Sequence, residues 1–180
     1  MLNFRKYLSE MMQDTAKQFS KEELEELFKA SLGNILVNSN GNLYAKRSIY
    51  SHNWVTFKSH YLEPYGNGYR VKYPLEIVNG DYIVSNQELQ TMENFPITIK
   101  NGRFEGWLNK FSDLKGIPQY VGLIDLSINK KLKSFAGIGK LVKECEQIIV
   151  PATLESNLLG VILIKNLETI SNDDDEMNLN

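Results

Sequence analysis

The chain has 180 residues, 42% of them hydrophobic and 23% charged, with a formal net charge of −2. That length suits one domain with a real core, and the near-neutral balance excludes a strong general pull toward nucleic acid or anionic lipid. A single cysteine, Cys145, excludes an internal disulfide framework and a cysteine-based zinc site. It also fits a reducing cytoplasm. The longest apolar run, Leu158–Ile164, is strand-sized, and the N-terminus lacks the apolar core of a secretory signal. The expectation is a soluble, intracellular, cytoplasmic protein with no membrane partner.

Residues 1–33 predict a helical segment. Leu2, Phe4, Tyr7, Leu8, Met11, Met12, Ala16 and Phe19 recur near helical spacing. Ser20 with Glu23 three residues later forms a capping box. Leu24, Leu27, Phe28 and Leu32 supply the apolar stripe of the helix that follows, and Gly33 ends it. Residues 34–73 change period. Asn40-Gly41 lies between aliphatic runs, and Pro64 and Gly66-Asn67-Gly68 punctuate an aromatic stretch. This reads as short antiparallel strands joined by tight turns, a β-hairpin cap region.

From Pro74 the chain divides into units. Pro74, Pro96 and Pro118 stand 22 residues apart, and Asn79-Gly80 and Asn101-Gly102 occupy the same place in the first two. Apolar positions coincide after the corner: Tyr82, Phe104 and Leu126; Leu89, Phe111 and, one residue earlier in its unit, Leu132; Met92 and Leu114; Phe95 and Ile117. Ile148 and Val150 continue that register from Leu126 and Ile128. A short strand packing alternate side chains inward, an asparagine whose amide satisfies a turning backbone, and an apolar residue at each third return position together make a coil that lacks a core alone and must stack. Asn-Gly is equally a good hairpin turn, so a β-meander remains open. The shared apolar register favours stacked coils over residues 74–170. Residues 171–180, with Asp173, Asp174, Asp175 and Glu176, read as a solvated, disordered acidic tail.

Val121-x-x-Ile124-x-Leu126-x-x-Asn129-x-x-Leu132 and the matching run Phe104-x-Gly106-x-x-Asn109-x-Phe111-x-x-Leu114 resemble the leucine-rich repeat. With the junction Leu114–Gly122, the stretch is similar to short leucine-rich-repeat-like proteins encoded by large tailed bacteriophages. That resemblance implies a fold and a viral origin, not an activity. The start of the chain, with Phe4, Tyr7 and Leu8-Ser9-Glu10, resembles the capsid-targeting leader of phage internal head proteins. It implies processing after Glu10 and a place inside the virion, against the plainer reading of an amphipathic helix.

Chemistry-bearing motifs are few. His52 and His60 are eight apart with aromatics between them, more like strand or loop residues than a metal pair. No phosphate loop, dinucleotide fingerprint, zinc-protease motif or nucleophile elbow occurs. Gly137–Lys140 reads as a coil corner, and Cys145, between Glu144 and Glu146, as structural. If the units stack, the outward strand residues form one face: Asp81, Ile83 and Ser85; Arg103, Glu105 and Trp107; Leu123, Asp125 and Ser127; Gln147 and Ile149. Tryptophan and arginine among aliphatics suit a protein partner, and the acid excess disfavours nucleic acid. The expectation is an α+β protein, helices and hairpins capping a short leucine-rich-repeat-like β-solenoid. It has no cofactor, no catalytic set and no metal site. It binds a host or phage protein through Asp81, Ile83, Arg103, Glu105, Trp107 and Asp125. The alternatives are the processed head protein and, less favoured, a small enzyme using His52 or His60.

Overall fold

A computed structural model describes residues 19–53, 57–135 and 137–151, together with the backbone of 161–163. The predicted helix over 2–19, the Glu10 site and the acidic tail lie outside the described residues. The first described element is helix α1, Lys21–Ala30. Its capping box forms as predicted: Glu23 N–H donates to Ser20 Oγ at 3.1 Å, and Ser20 N–H donates to the Glu23 carboxylate at 3.0 Å. Leu24 and Leu27 are buried, but Leu32 is not part of the stripe. The helix has already ended, Leu32 adopts φ 51°, and its side chain is 83% exposed.

Residues 34–73 only partly follow the expected hairpins. Strands β1 (Ile35–Val37) and β2 (Leu43–Ala45) pair antiparallel around Asn40-Gly41, and β4 (Leu62–Tyr65) pairs antiparallel with β5 (Gly68–Val71). Between them, however, stand β3 (Ile49–Tyr50), a 3-10 turn (Ser51–Asn53) and helix α2 (Phe57–Tyr61). The histidines therefore sit on helical turns, not on strands. Moreover, β2 and β3 leave the hairpin region to pair, in parallel, with strands more than thirty residues further on.

Those later strands come in pairs, one for each of two sheets. The pairs are β6 (Leu75–Asn79) with β7 (Tyr82–Ile83), and β8 (Thr98–Lys100) with β9 (Arg103–Glu105). Tyr120 and Glu144 then contribute single bridges beside β10 (Leu123–Asp125) and β11 (Gln147–Ile149). The first sheet runs β1-β2-β6-β8 and continues through the Thr98–Tyr120 and Tyr120–Glu144 bridges. The second runs β3-β7-β9-β10-β11-β12, where β12 is Val161–Leu163. From β3 to β11 all neighbours are parallel; β12 closes the row antiparallel. Neither Asn-Gly of the repeat closes a hairpin. Each carries the chain from a strand of one sheet to a strand of the other. The architecture is a mixture of helices and several β-sheets, with no closed barrel among the described residues.

Register confirms two units and corrects the third. Tyr82 lies beside Phe104, but Phe104 lies beside Ile124, not Leu126, and Ile124 beside Ile148; successive partners are 22, 20 and 24 residues apart. The slip has a local cause. Ile99-Lys100-Asn101-Gly102 separate Thr98 from Arg103, whereas only Val121-Gly122 separate their partners Tyr120 and Leu123. Without Asn-Gly the corner is two residues shorter. After it the units realign on asparagine, five residues past Phe104 and five past Ile124.

That asparagine is the buried polar element of the interior. Asn109 Oδ1 accepts from the N–H groups of Gln87 and Leu89, while its Nδ2 donates to the carbonyls of Val84 and Gly106. Asn129 repeats the arrangement one unit on: Oδ1 accepts from Asn109 N–H at 3.0 Å, and Nδ2 donates to Gly106 and Leu126 carbonyls. Each amide thus satisfies backbone in its own unit and in the preceding one, where an unpaired group costs about 1–3 kcal/mol. Around this ladder the aligned apolar residues are buried as expected, Leu89, Phe111 and Leu132 in one column, Met92 and Leu114 in another. Tyr82, Phe95, Phe104 and Phe111 interlock with ring centroids 5.4–6.1 Å apart, a geometry that adds to area burial. Gly106 is glycine because a Cβ would lie 2.6 Å from the Phe104 ring.

Candidate protein-binding face

The outer face of the second sheet is built by alternation. Phe104, Ile124 and Ile148 are fully buried, so their neighbours point outward. Pairing sets Ile83, Glu105, Asp125 and Ile149 in one row, and Arg103, Leu123 and Gln147 in the next. These outward residues are the ones named from the sequence, although the core residues between them follow the slipped register. Tyr50, opposite Ile83, extends the row.

Most of the candidate residues are joined to one another. Arg103 Nε donates to Glu105 Oε1 at 2.6 Å, and Trp107 Nε1 donates to the other carboxylate oxygen at 3.3 Å. Asp81 accepts from the Tyr50 hydroxyl at 3.1 Å and from Arg103 N–H at 3.2 Å. Asp125 accepts from Ser127 N–H at 2.9 Å, fixing its own turn. Arg103 is exposed; Asp81, Glu105, Trp107 and Asp125 are half-buried. Trp107 is therefore neither free nor a core residue: its indole is oriented by Glu105. Ile83 departs from expectation. It is only 8% exposed, and neighbouring Ser85 is buried with its hydroxyl donating to the Glu105 carbonyl. The exposed face begins at Arg103.

A feature missed from the sequence lies at the margin of this face. Asn86, Leu108 and Ile128 occupy equivalent corners with φ of 55°, 55° and 61°. Asparagine tolerates the left-handed region because its side chain is short and polar. For leucine the conformation is unfavourable, and for a β-branched isoleucine it is an outlier. Neither side chain is compensated by burial, since Leu108 is 40% and Ile128 51% exposed. Ile128, read from the sequence as part of the apolar register, belongs to the surface. An apolar residue at every third position looks like core in the sequence, so only the backbone angle separates these two from Leu126 or Phe111.

The remaining candidates do not converge. His52 is exposed against Tyr50, ring centroids 5.8 Å apart, and His60 Nδ1 lies 2.9 Å from Ser59 Oγ. Cys145 is buried, its thiol donating to the Gln147 carbonyl, and burial pushes its pKa up to about 11, which suppresses thiolate chemistry. Tyr61 and Tyr82 bury their hydroxyls 3.5 Å apart, and desolvation raises both above the ordinary tyrosine value. No cluster of three metal-ligating side chains occurs among the described residues, and none of their helices is long and apolar enough to cross a membrane. Comparison with known families, curated proteins and solved structures finds no match.

Proposed function

We propose that the stacked units form a short leucine-rich-repeat-like solenoid and that the chain is a non-enzymatic protein-binding module. Its contact surface is the outer face of the second sheet, from Arg103, Glu105 and Trp107 to Asp125, extended at the margin by Leu108 and Ile128. The observation that carries this reading is the pair of exposed aliphatics held at left-handed corners. Backbone strain of this kind costs on the order of 1–2 kcal/mol per residue, and Asn86 in the equivalent position shows a cheaper solution within the same molecule. Packing does not account for the expense; contact with another surface does. Trp107 and Arg103 beside them are residue types that anchor interfaces. The sequence resemblance supports a phage-encoded protein acting on a host or phage partner in the bacterial cytoplasm.

Affinity capture from bacterial lysate tests this, comparing the wild type with a Trp107→Ala/Arg103→Glu variant that keeps its melting profile. A protein held by the wild type and released by the folded variant is the expected result. Equal retention by both removes the face from consideration.

A further inference from the structure

Asn-Gly stands at four places in the chain, and its intrinsic chemistry is the same at each. The glycine backbone nitrogen can attack the asparagine side-chain carbonyl carbon, because a residue without a Cβ leaves the approach open. What differs is how the fold holds the two groups. Gly41 N–H donates to the Asn38 carbonyl at 3.0 Å, and Asn40 N–H donates to the Asn38 side chain at 2.9 Å. Gly68 is paired with Tyr65 in the β4–β5 ladder, and the Asn67 carbonyl accepts from Lys110 Nζ at 3.0 Å. Gly80 N–H donates to the Lys100 carbonyl at 2.8 Å, and Asn79 Nδ2 reaches the Ala45 carbonyl at 3.4 Å. At these three steps the chain cannot turn toward ring closure without breaking a bond.

Asn101-Gly102 is the exception. Among the described residues neither the backbone nor the side-chain amide of Asn101 makes a hydrogen bond, and Gly102 N–H has no acceptor. The slipped register supplies the cause. Gly80 N–H finds a carbonyl in the next corner, but the third corner is two residues shorter, and no carbonyl stands in the equivalent place for Gly102. The one hydrogen bond that this step makes runs through the Gly102 carbonyl, which accepts from Gly122 N–H at 3.3 Å. Asn101 is exposed, so water reaches it.

We propose that Asn101 is a modification site, where the folded chain deamidates itself ahead of its other three Asn-Gly steps. The Gly102 nitrogen gives up its proton to solvent and bonds to Asn101 Cγ. The side-chain nitrogen takes up a proton and leaves as ammonia, and a five-membered succinimide ring remains. One water then opens the ring at either carbonyl, giving aspartate or isoaspartate; nothing is oxidised or reduced. The product sets a new carboxylate between Lys100 and Arg103 in the sequence, and its isoaspartyl form adds a methylene to the main chain at the corner joining the two sheets. The site does not depend on the protein-binding reading.

To test this, the full chain is held in mildly alkaline buffer and digested. The four Asn-Gly peptides are then compared by mass, with isoaspartate counted by methyltransferase labelling. Deamidation at Asn101 is expected to run roughly five- to tenfold faster than at Asn40, Asn67 or Asn79, the effect of one hydrogen bond that need not break. The same incubation in urea removes the fold, and the four rates should converge. Asn101→Gln, whose longer side chain closes a six-membered ring far more slowly, should abolish the product at this position. The proposal is overturned if Asn101 is no faster than the others in the folded chain, if its lead persists in urea, or if the mass change at this peptide survives Asn101→Gln.

Discussion

The dipeptide Asn-Gly occurs four times and does two different things: Asn40-Gly41 and Asn67-Gly68 lie in antiparallel hairpins, whereas Asn79-Gly80 and Asn101-Gly102 join the two sheets. At Asn40-Gly41 it closes an antiparallel hairpin whose bonds are local: Gly41 N–H donates to the Asn38 carbonyl, and the Asn38 side chain accepts from the N–H groups of Asn40 and Asn42. At Asn79-Gly80 and Asn101-Gly102 the chain passes between sheets, and the bonds belong to neighbouring units: Gly80 N–H donates to the Lys100 carbonyl, Gly122 N–H to the Gly102 carbonyl. The turn at Asn40-Gly41 satisfies itself; the two corners between sheets are satisfied by the neighbouring unit. Local chemistry fixes that the chain bends, and long-range pairing decides what the bend connects.

The comparison is most easily broken at its glycines. A Cβ on Gly102 would lie 2.3 Å from the Gly80 carbonyl carbon, a backbone atom that cannot yield alone. Gly102→Ala is expected to lose about 3 kcal/mol or more in urea unfolding. Gly41→Ala should lose only about 1 kcal/mol, the penalty of its φ of 83°. Equal losses would mean that the corners do not stack.

Buried and exposed asparagines give the next contrast. Asn129→Ala leaves Asn109 N–H and the Leu126 carbonyl without their partner and takes one of two donors from the Gly106 carbonyl, so a loss of about 2–3 kcal/mol is expected. Asn42→Ala, at the exposed hairpin, should change stability by less than about 0.5 kcal/mol. Leu108→Asn works in the opposite direction, gaining about 1 kcal/mol by relieving a left-handed leucine.

The smallest effect is at the capping box. The hydrogen bond from Ser20 N–H holds the Glu23 carboxyl below its ordinary value of 4.5, with Lys72 assisting. A depressed folded-state value contributes stability above the unfolded value, and that contribution is lost as pH falls through the folded one. Glu23→Gln keeps the box but should flatten the acid limb of a stability–pH curve below about pH 5. An unchanged limb would assign the acid sensitivity elsewhere.

Much of the interior was legible because it is repeated. Leu89 and Phe111, Met92 and Leu114, and Phe95 and Ile117 fill matching columns, and Asn109 and Asn129 mark the corners by residue type. The role of β2 and β3 was not legible, since their partners lie more than thirty residues away and nothing local distinguishes a hairpin strand from one that also stacks. The slip to Ile124 was hidden for the same reason: a shortened corner shows only against its neighbour. On the face, alternation placed Arg103, Glu105 and Trp107 together, but the burial of Ile83 and the exposure of Ile128 depend on depth and backbone angle, which hydrophobicity does not encode.

The most direct test is one variant measured twice. Leu108→Asn with Ile128→Asn is assayed for urea stability and for partner capture from lysate. The account predicts a protein more stable by roughly 1–2 kcal/mol that no longer retains the partner held by the wild type. A variant that loses stability, or that gains it and still captures the same partner, would contradict the claim that these two strained, exposed side chains are kept for contact.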